Sequence, residues 1–350
     1  MLHFITATDK AQWDNFVQSH PESNFLQSWD FYEFHASRGN SIVRRLAIET
    51  KDSAQNPPQI LAAYAGVVES ARRGRHFAIA GGPLLDWADE TLKTALFADM
   101  AQQGKAYHCA FVRFRPQAPL SELCSALPSS LKSRFHIKKS PLYLSVEHAG
   151  LLDLTLSDSE LLARASQGFR RKLRKAEKDH LTVETSADPA IVDTFYDLEV
   201  AHARRQGFVP FSRDFLKKQF TAFAKNDEAK MYIAKKDGEI LAMNFMIFYG
   251  PEASYHYGVS TPLGTRYSAA PLLHLTAMRD ARTRGIFRYN LWGIVPKDAT
   301  HHRFYGVSEF KRSFGCSEYL YIPAHDLVLR PLSYQKTRLI ELIRKHLRKV

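Results

Sequence analysis

The sequence has little cysteine and no long apolar run. Its 350 residues include three scattered cysteines, Cys109, Cys124 and Cys316, which form no CxxC pair and show no zinc spacing. An odd, scattered set argues against a disulfide framework and suits a reducing compartment. No apolar run reaches the roughly 18 residues that a membrane helix needs. The first residues lead into Asp9 and Lys10 without the apolar core of a signal peptide, so we expect a cytoplasmic protein.

The common catalytic motifs are absent too. There is no GxSxG elbow, no HExxH pair and no GxxxxGK[ST] phosphate loop. His301 and His302 are adjacent, but neighbouring residues on regular structure point apart, and no further ligand follows at metal-binding spacing. We therefore expect no metal and no cofactor.

Positive charge is in excess. The formal net charge is +12, from 48 Lys and Arg against 36 Asp and Glu. Such an excess favours polyanionic partners such as nucleic acid, pyrophosphate ligands or an anionic membrane surface, although a merely soluble basic protein also fits. With 45% hydrophobic and 24% charged residues the chain is globular in composition, and its length suits about two domains.

Helical and strand patterns alternate and then begin again. Up to Phe114 the sequence predicts helices and apolar strands that are interrupted at Gly81-Gly82-Pro83. From Ser157 to Ile294 the same gross order returns. This order predicts two related α/β domains with a boundary near Gly150.

The sharpest local pattern is a strand, a loop and a helix over 253–284. Backbone N–H groups at such a helix start form an anion site. In acetyl-CoA-dependent acetyltransferases the loop reads Arg/Gln-x-x-Gly-x-Gly/Ala, whereas here Ala269 and Pro271 stand at the glycine places after Arg266. The strand, loop and helix resemble that fold. Because proline has no N–H to donate, however, the loop that would bind CoA is altered, which favours a different acyl donor.

Two motifs follow this helix. Gly285 to Ile294 fits G-x-x-x-Y-D-x-W-G-I, except that Asn290 stands where Asp is usual, and Gly306 to Gly315 fits G-x-x-x-F-K-x-x-F-G. With these motifs the sequence resembles the Fem peptidyltransferases (the FemABX group), which build interpeptide bridges in bacterial peptidoglycan. Further matches run in order along nearly the whole chain: Phe25 to Ser28, Gly82-Pro83, Arg113 to Pro116, Arg171 to Lys178, Asp237-Gly238 with Ala242, and Tyr255 to Ser260.

The resemblance implies two tandem GNAT-like (acetyltransferase-like) domains, the first over 1–150 plus about 321–350 and the second over 151–320. The chain has no long heptad segment, so it is similar to the members without a helical hairpin arm. The implied donor is an aminoacyl-tRNA, and the implied acceptor is the stem-peptide amine of a UDP-linked or lipid-linked muramyl precursor in cell-wall synthesis. We expect a monomer. The alternative is an acyl-CoA-dependent acetyltransferase acting on a sugar, polysaccharide or peptide amine. A non-enzymatic tRNA-binding module is the third hypothesis.

The implied reaction is aminolysis of an activated ester, which needs positioning and one fixed positive charge more than a covalent nucleophile. The F-K-x-x-F-G motif implies that Phe310 and Lys311 are catalytic, although an exposed lysine on a strand is the ordinary alternative. Arg204 and Arg205 lie where the family presents a basic residue to the precursor's phosphates, or else form a solvated helix end.

The first-domain half of the implied phosphate site departs from the family. The family usually has a phosphate-binding lysine some eight residues after Gln27, and here that place holds Phe34 and His35, of which His35 is a substrate-binding candidate. Arg38, Arg44 or Arg45 could substitute for the lysine.

Tyr255 and Tyr257 alternate with His256 on a predicted strand, which predicts one shared face, either lining a peptide cleft or in the core. A basic helix near 170–178 offers candidates for contact with tRNA phosphates, unless it is only a solvated face. These candidates are Arg170, Arg171, Arg174 and Lys175.

The segment 330–350 is predicted to form a basic amphipathic helix. Leu339, Ile343 and Leu347 recur at helical spacing with Ile340 beside them. We expect this apolar stripe to dock on the first domain. The outward charges then hold the protein transiently at the anionic inner leaflet of the cell membrane.

Overall fold

The structure, a computed structural model, describes residues 1–50, 58–71 and 74–348. The chain forms two compact units, Met1–Glu147 with Leu320–Val350 and His148–Tyr319. Each unit contains one sheet, and helices accompany both sheets. The predicted α/β class is confirmed.

The strands are β1 Leu2–Thr6, β2 Ser41–Glu49, β3 Gln59–Ala71, β4 Gly74–Ala80, β5 Leu84–Leu85, β6 Phe111–Arg115, β7 Ile137–Lys139, β8 His148–Asp153, β9 Thr182–Ser186, β10 Ala229–Lys236, β11 Glu239–Tyr249, β12 Glu252–Ser260, β13 Arg288–Gly293, β14 Ser317–Leu320 and β15 His325–Val328. The α-helices are α1 Lys10–Ser19, α2 Trp29–Ala36, α3 Glu90–Ala106, α4 Leu123–Ala126, α5 Ser129–Arg134, α6 Asp158–Arg164, α7 Gln167–Lys178, α8 Ile191–Gln206, α9 Arg213–Ala224, α10 Pro262–Tyr267, α11 Ala269–Thr283, α12 Tyr305–Arg312 and α13 Pro331–Arg348.

The sheet of the first unit has the order β1-β2-β3-β4-β6-β15-β7, and β5 pairs with β3. The pair β4 and β6 is parallel, and the other pairs are antiparallel. The buried amide of Gln27 joins β3 to β4 where they part, since its Nε2 donates to Ala65 O at 3.1 Å and to Ala80 O at 2.7 Å. The F-L-Q-S match near the start of the chain is therefore structural in this unit.

The sheet of the second unit has the order β14-β8-β13-β12-β11-β10-β9. Its parallel pair, β12 with β13, is short and ends at Ser254 opposite Asn290. Helix α11 packs on this sheet with Leu273, Ala277 and Ala281 in the core. The early end of the parallel pairing leaves an opening between the two strands, and the candidate site lies there.

Helix α13 attaches to the first unit through polar and aromatic side chains. Tyr334, Thr337 and Glu341 are buried, whereas Leu339 and Ile343 are exposed. The prediction that the apolar stripe docks is wrong, because the opposite side of the helix is the buried one and its Glu341 binds the buried Arg113 at 2.8 Å. The side chains after Lys345, including Leu347, lie outside the described residues. Among the helices that the structure describes, none has the length and apolar character of a membrane span.

Candidate active site

The opening between β12 and β13 is shaped by one buried amide. Asn290 Nδ2 donates to Glu252 Oε1 at 3.0 Å, and Asn290 Oδ1 accepts from the backbone N–H of Trp292 at 2.8 Å. Trp292 has φ +65°, a left-handed conformation that a bulky residue rarely adopts. The amide thus stabilises the turn by which β13 leaves its neighbour, and strands that part leave backbone groups able to bind a ligand.

Asn290 is the residue where the motif departs from the usual Asp, and its surroundings explain the departure. Glu252 is buried and also accepts from Ser254 Oγ and from Arg288 Nε, both at 2.8 Å. An aspartate at 290 would place a second carboxylate against Glu252. The amide instead supplies a donor to it and an acceptor to the backbone.

A β-bulge in β12 reverses one prediction. Phe245 pairs with Tyr257 and Met246 with Tyr255, so His256 is the extra residue. A bulge breaks the alternation of side chains. The Tyr255 ring lies 4.5 Å from His274 of α11, whereas the Tyr257 ring lies 5.7 Å from Phe211, before α9. The predicted shared face of Tyr255 and Tyr257 is therefore wrong.

Gly258 makes room for the Tyr255 ring. A Cβ atom built on Gly258 would overlap the ring and hydroxyl of Tyr255. The Nζ of Lys311 lies 5.7 Å from the centroid of this ring.

Lys311 is buried on α12, so it is neither exposed nor on a strand. Its Nζ donates to Gly293 O at 2.8 Å, at the end of β13. Burial lowers the pKa of Lys311 to about 8. The amine therefore stays mostly protonated at pH 7 and is a buried positive charge at the end of β13.

Phe310, predicted with Lys311 to be catalytic, belongs to the packing under α12. Its ring lies 5.1 Å from Phe314 and 5.8 Å from His274. Ser308 holds the same helix, because its Oγ accepts from the Val295 N–H at 2.9 Å. These contacts fix the direction of Lys311, which gives Phe310 a positioning role.

Glu199 of α8 is a candidate that the sequence analysis missed. It is buried, and its Oε2 has no hydrogen-bond partner among the described residues. Burial raises the pKa of Glu199 to about 7. Burial first and the Glu199 charge second raise the pKa of Tyr257, which places the two side chains close together. The available signal was an acid on the apolar stripe that Val192, Phe195 and Ala203 form.

Two buried histidines also went unpredicted. His256 Nε2 lies 3.1 Å from Gln219 Oε1, and its ring lies 5.8 Å from that of Trp292. His274 Nδ1 shares a hydrogen bond of 2.7 Å with Tyr289 Oη. Burial lowers the pKa of each histidine to about 3, so both are neutral at pH 7. Neither histidine can supply a positive charge there.

The two candidate arginines of α8 differ. Arg205 Nη2 donates to Ser260 O at 3.0 Å, which ties the end of α8 to the end of β12. Arg204 is exposed. Arg204 is therefore the better placed of the two to bind a phosphate.

His35 does not meet the requirement for a cationic phosphate ligand. Its ring lies 4.7 Å from Phe31 and 4.8 Å from Phe34. Burial and then the nearby Arg38 charge lower the pKa of His35 to about 4, so it is neutral at pH 7. His35 therefore supplies no positive charge for a phosphate at pH 7 in place of the family's lysine, and its role in substrate binding stays a prediction.

Of the three substitutes for that lysine, Arg38 alone is exposed. Arg44 binds Glu33 at 2.7 Å and Arg45 binds Asp99 at 2.8 Å. A phosphate would have to compete with these carboxylates, so Arg38 is the remaining candidate of the first unit.

The basic helix predicted near 170–178 is α7. Phe169, Leu173 and Ala176 face the core. Arg170 Nη1 donates to Ala165 O at 2.6 Å and caps the end of α6, and Lys175 binds Asp179 at 2.8 Å. The two remaining candidates, Arg171 and Arg174, are exposed.

The segment expected to be a phosphate loop is largely helical. Helix α10 ends at Ser268, which has φ +60° and leads directly into α11. Ala269 and Pro271 are buried. The loop prediction is wrong, and the conclusion that these positions offer no full set of N–H groups stays a prediction that rests on Pro271. No cluster of three or more potential metal ligands occurs within residues 1–50, 58–71 and 74–348.

Comparison with known proteins covers both units. A model of the FemAB family matches residues 8–129, and an Acetyltransferase (GNAT) domain model matches residues 163–312. The crystal structure of FemX matches with a TM-score of 0.83 at 19% identity, over 97% of this chain and 100% of that chain. A tandem GNAT protein from the clavulanic acid biosynthesis pathway matches with a TM-score of 0.56 at 11% identity, over 94% of this chain and 99% of that chain. The fold is a tandem GNAT fold, as predicted.

Within this class the first unit matches the FemAB family, in keeping with the predicted resemblance to the FemABX group. The Lipid II:glycine glycyltransferase of Staphylococcus aureus is 24% identical over 229 residues, which make up 64% of this chain and 53% of that protein. The chain thus spans about half the length of the curated relatives it matches. In the described part of the second unit the longest helix is α8, with 16 residues, in keeping with a member that has no helical hairpin arm.

Proposed function

We propose that the protein is an aminoacyltransferase that moves an amino acid from an aminoacyl-tRNA to the stem-peptide amine of a peptidoglycan precursor. The match of the first unit to the FemAB family and the similarity to a Lipid II:glycine glycyltransferase support the reaction class. The observation that carries the proposal is the buried, protonated Lys311 beside the opening of β12 and β13.

The reaction needs no covalent nucleophile. The acceptor amine loses a proton and attacks the ester carbonyl carbon, so that a C–N bond forms. The oxyanion then collapses, the C–O bond to the tRNA ribose breaks, and the ribose oxygen takes up the second proton that the attacking nitrogen releases as it becomes an amide. Lys311 stabilises the oxyanion, because a fixed positive charge in a buried site acts with little screening.

Glu199 is the proposed base for the acceptor amine. A base is most effective when its pKa lies near the working pH, and burial brings Glu199 to about 7. Its Oε2 has no partner in the described residues, so it is available to an incoming ammonium group. Tyr257 lies beside it, since the Glu199 charge contributes to raising the pKa of Tyr257.

Two exposed arginines of α7 and one of α8 are evidence that the substrates are anionic. We propose that Arg171 and Arg174 meet the tRNA backbone and that Arg204 meets a phosphate of the acceptor precursor. The acceptor is proposed to be lipid-linked, which calls for action at the inner face of the cell membrane, with the protein otherwise cytoplasmic and monomeric.

An acyl-CoA-dependent acetyltransferase remains the second candidate because the fold is shared. The buried Pro271 argues against it, since proline has no N–H to donate to a pyrophosphate at this helix start.

Parallel assays separate the two donors. The protein is incubated with the lipid-linked precursor and either a mixture of charged tRNAs or acetyl-CoA, and the product is weighed by mass spectrometry. We expect an aminoacyl mass increment with tRNA alone, and no heat of acetyl-CoA binding in calorimetry. Acetylation, or tight acetyl-CoA binding, would overturn the proposal.

A further inference from the structure

The face of α13 that points away from the first unit is apolar and exposed. Leu332, Leu339, Leu342 and Ile343 are 85%, 61%, 40% and 51% exposed. With 3.6 residues per turn, Leu332, Leu339 and Ile343 lie on one side of the helix and Tyr334, Thr337 and Glu341 on the opposite side. The apolar stripe is therefore not what attaches the helix.

The opposite side is held firmly. Arg113 binds Asp326 at 2.7 Å and Glu341 at 2.8 Å, and all three side chains are buried. The Tyr334 hydroxyl donates to Asp326 at 3.2 Å, and its ring lies 5.4 Å from Phe111. This network fixes the helix so that its leucines face outward.

The exposed charges beside the stripe have one sign. The exposed basic residues of this segment are Arg330, Lys336, Arg338, Arg344 and Lys345. The single acid of residues 330–345, Glu341, is buried against Arg113. Tyr143, which is largely exposed, lies beside the helix with its ring centroid 5.8 Å from Lys345 Nζ. An exposed aromatic ring beside lysine is typical of a membrane–water interface.

We propose that this face of α13 is a membrane-docking surface that inserts its leucines among the lipids of an anionic bilayer. We call it the α13 face, and it comprises Leu332, Leu339, Leu342, Ile343 and the flanking basic residues. Apolar insertion and attraction of basic residues to anionic headgroups act together in interfacial helices. The inference rests on the proposed function in one respect: if the acceptor is lipid-linked, binding to the membrane brings the protein to its substrate.

Other occupants fit the charges and the leucines less well. A nucleic acid backbone would pair with the basic residues but would leave the leucines in water. A second copy of this chain would cover the leucines but would bring like charges together. An anionic lipid surface is complementary to both features.

The test is flotation of the whole protein with vesicles of phosphatidylcholine alone or with about one third phosphatidylglycerol. We expect binding to the anionic vesicles only, weakened but not abolished by high salt. Leu339→Gln with Ile343→Gln is expected to reduce partitioning by at least about tenfold, because apolar burial scales with area. Arg338→Gln with Arg344→Gln and Lys345→Gln should remove the salt-sensitive part. Leu120→Gln with Phe287→Gln, which alters two exposed apolar residues elsewhere, is the matched control and should float like the wild type.

Further readouts separate the possible outcomes. The altered leucines are exposed, so the melting temperature should not change, and transfer to a soluble UDP-linked acceptor without vesicles should stay at the wild-type rate. Vesicle binding that the leucine variant does not weaken would overturn the proposal. So would a leucine-dependent dimer in light scattering, or loss of tRNA binding as the main defect of the basic variant. Failure of aminoacyl transfer with vesicle binding intact would refute the proposed function and leave the α13 face standing.

Discussion

Burial shifts the pKa values of two ionisable side chains of the second unit in opposite directions. Burial disfavours charge, so it lowers the pKa of Lys311 to about 8 and raises the pKa of Glu199 to about 7. Between these values a protonated lysine and an ionised glutamate coexist. This is the combination that oxyanion stabilisation and amine deprotonation require.

The glutamate can be tested by its pH profile. Glu199→Gln is expected to lower the single-turnover transfer rate and to remove the rise in rate that the wild type shows through about pH 7, because the base that ionises there is gone. Rates are measured from pH 5.5 to 8.5 with saturating substrates. Glu239→Gln, at an exposed position, is the control. A variant that keeps the rise near pH 7 would show that Glu199 is not the base.

Asn290 offers a test of the site's architecture. Asn290→Asp places a carboxylate beside buried Glu252 and is expected to destabilise the fold by roughly 1–3 kcal/mol at pH 7. Burial and the like charge raise the pKa of the new carboxyl above its unfolded value. The loss of folding stability is therefore largest at pH values above that raised pKa, and it becomes smaller as the pH falls through it. Urea unfolding at pH 7 and pH 5 measures this, with exposed Asn226→Asp as control. An equal loss at both pH values would contradict the explanation.

At the scale of single elements, α7 divides into residues that hold the fold and residues that face solvent. If Arg171 and Arg174 bind tRNA, changing both to Gln should reduce the slope of log affinity against log salt by roughly one unit per lost contact. Arg170→Gln should leave the slope unchanged, because its guanidinium caps α6. Filter binding of charged tRNA over a range of salt concentrations measures the slopes. An unchanged slope in the double variant would put the tRNA elsewhere.

Some elements could be predicted from the sequence because their patterns are local. Strands β2, β3, β4, β6 and β10 to β13 follow from periodicity, as does helix α7, whereas β1, β5, β7, β8 and β9 were not predicted. Lys311 follows from its motif. The bulge at His256 could not be predicted, since it depends on the register between β11 and β12. The attachment of α13 was missed because the pairing of Arg113 with Glu341 joins positions far apart in the chain. Glu199 was missed because one acid on an apolar stripe is a faint signal.

At the scale of the whole molecule, two units of related fold carry a net charge of +12. The excess attracts the anionic partners proposed here, which are a tRNA, a phosphorylated precursor and an anionic bilayer. It raises their local concentration at the protein surface and is not expected to stabilise the fold.

The most direct measurement of the central claim is single-turnover transfer of a labelled amino acid from aminoacyl-tRNA to the precursor by the wild type, Lys311→Ala and Lys311→Arg. We expect the wild type to transfer, with a rate that falls above about pH 8 as Lys311 loses its proton. Lys311→Ala should lose roughly 10²–10³ in rate with little change in precursor binding, as for removal of an oxyanion-stabilising group. Lys311→Arg should transfer more slowly than the wild type at neutral pH. Its rate should not fall above pH 8, however, because arginine stays charged. Wild-type turnover in Lys311→Ala, or the absence of any transfer from charged tRNA by the wild type, would contradict the account.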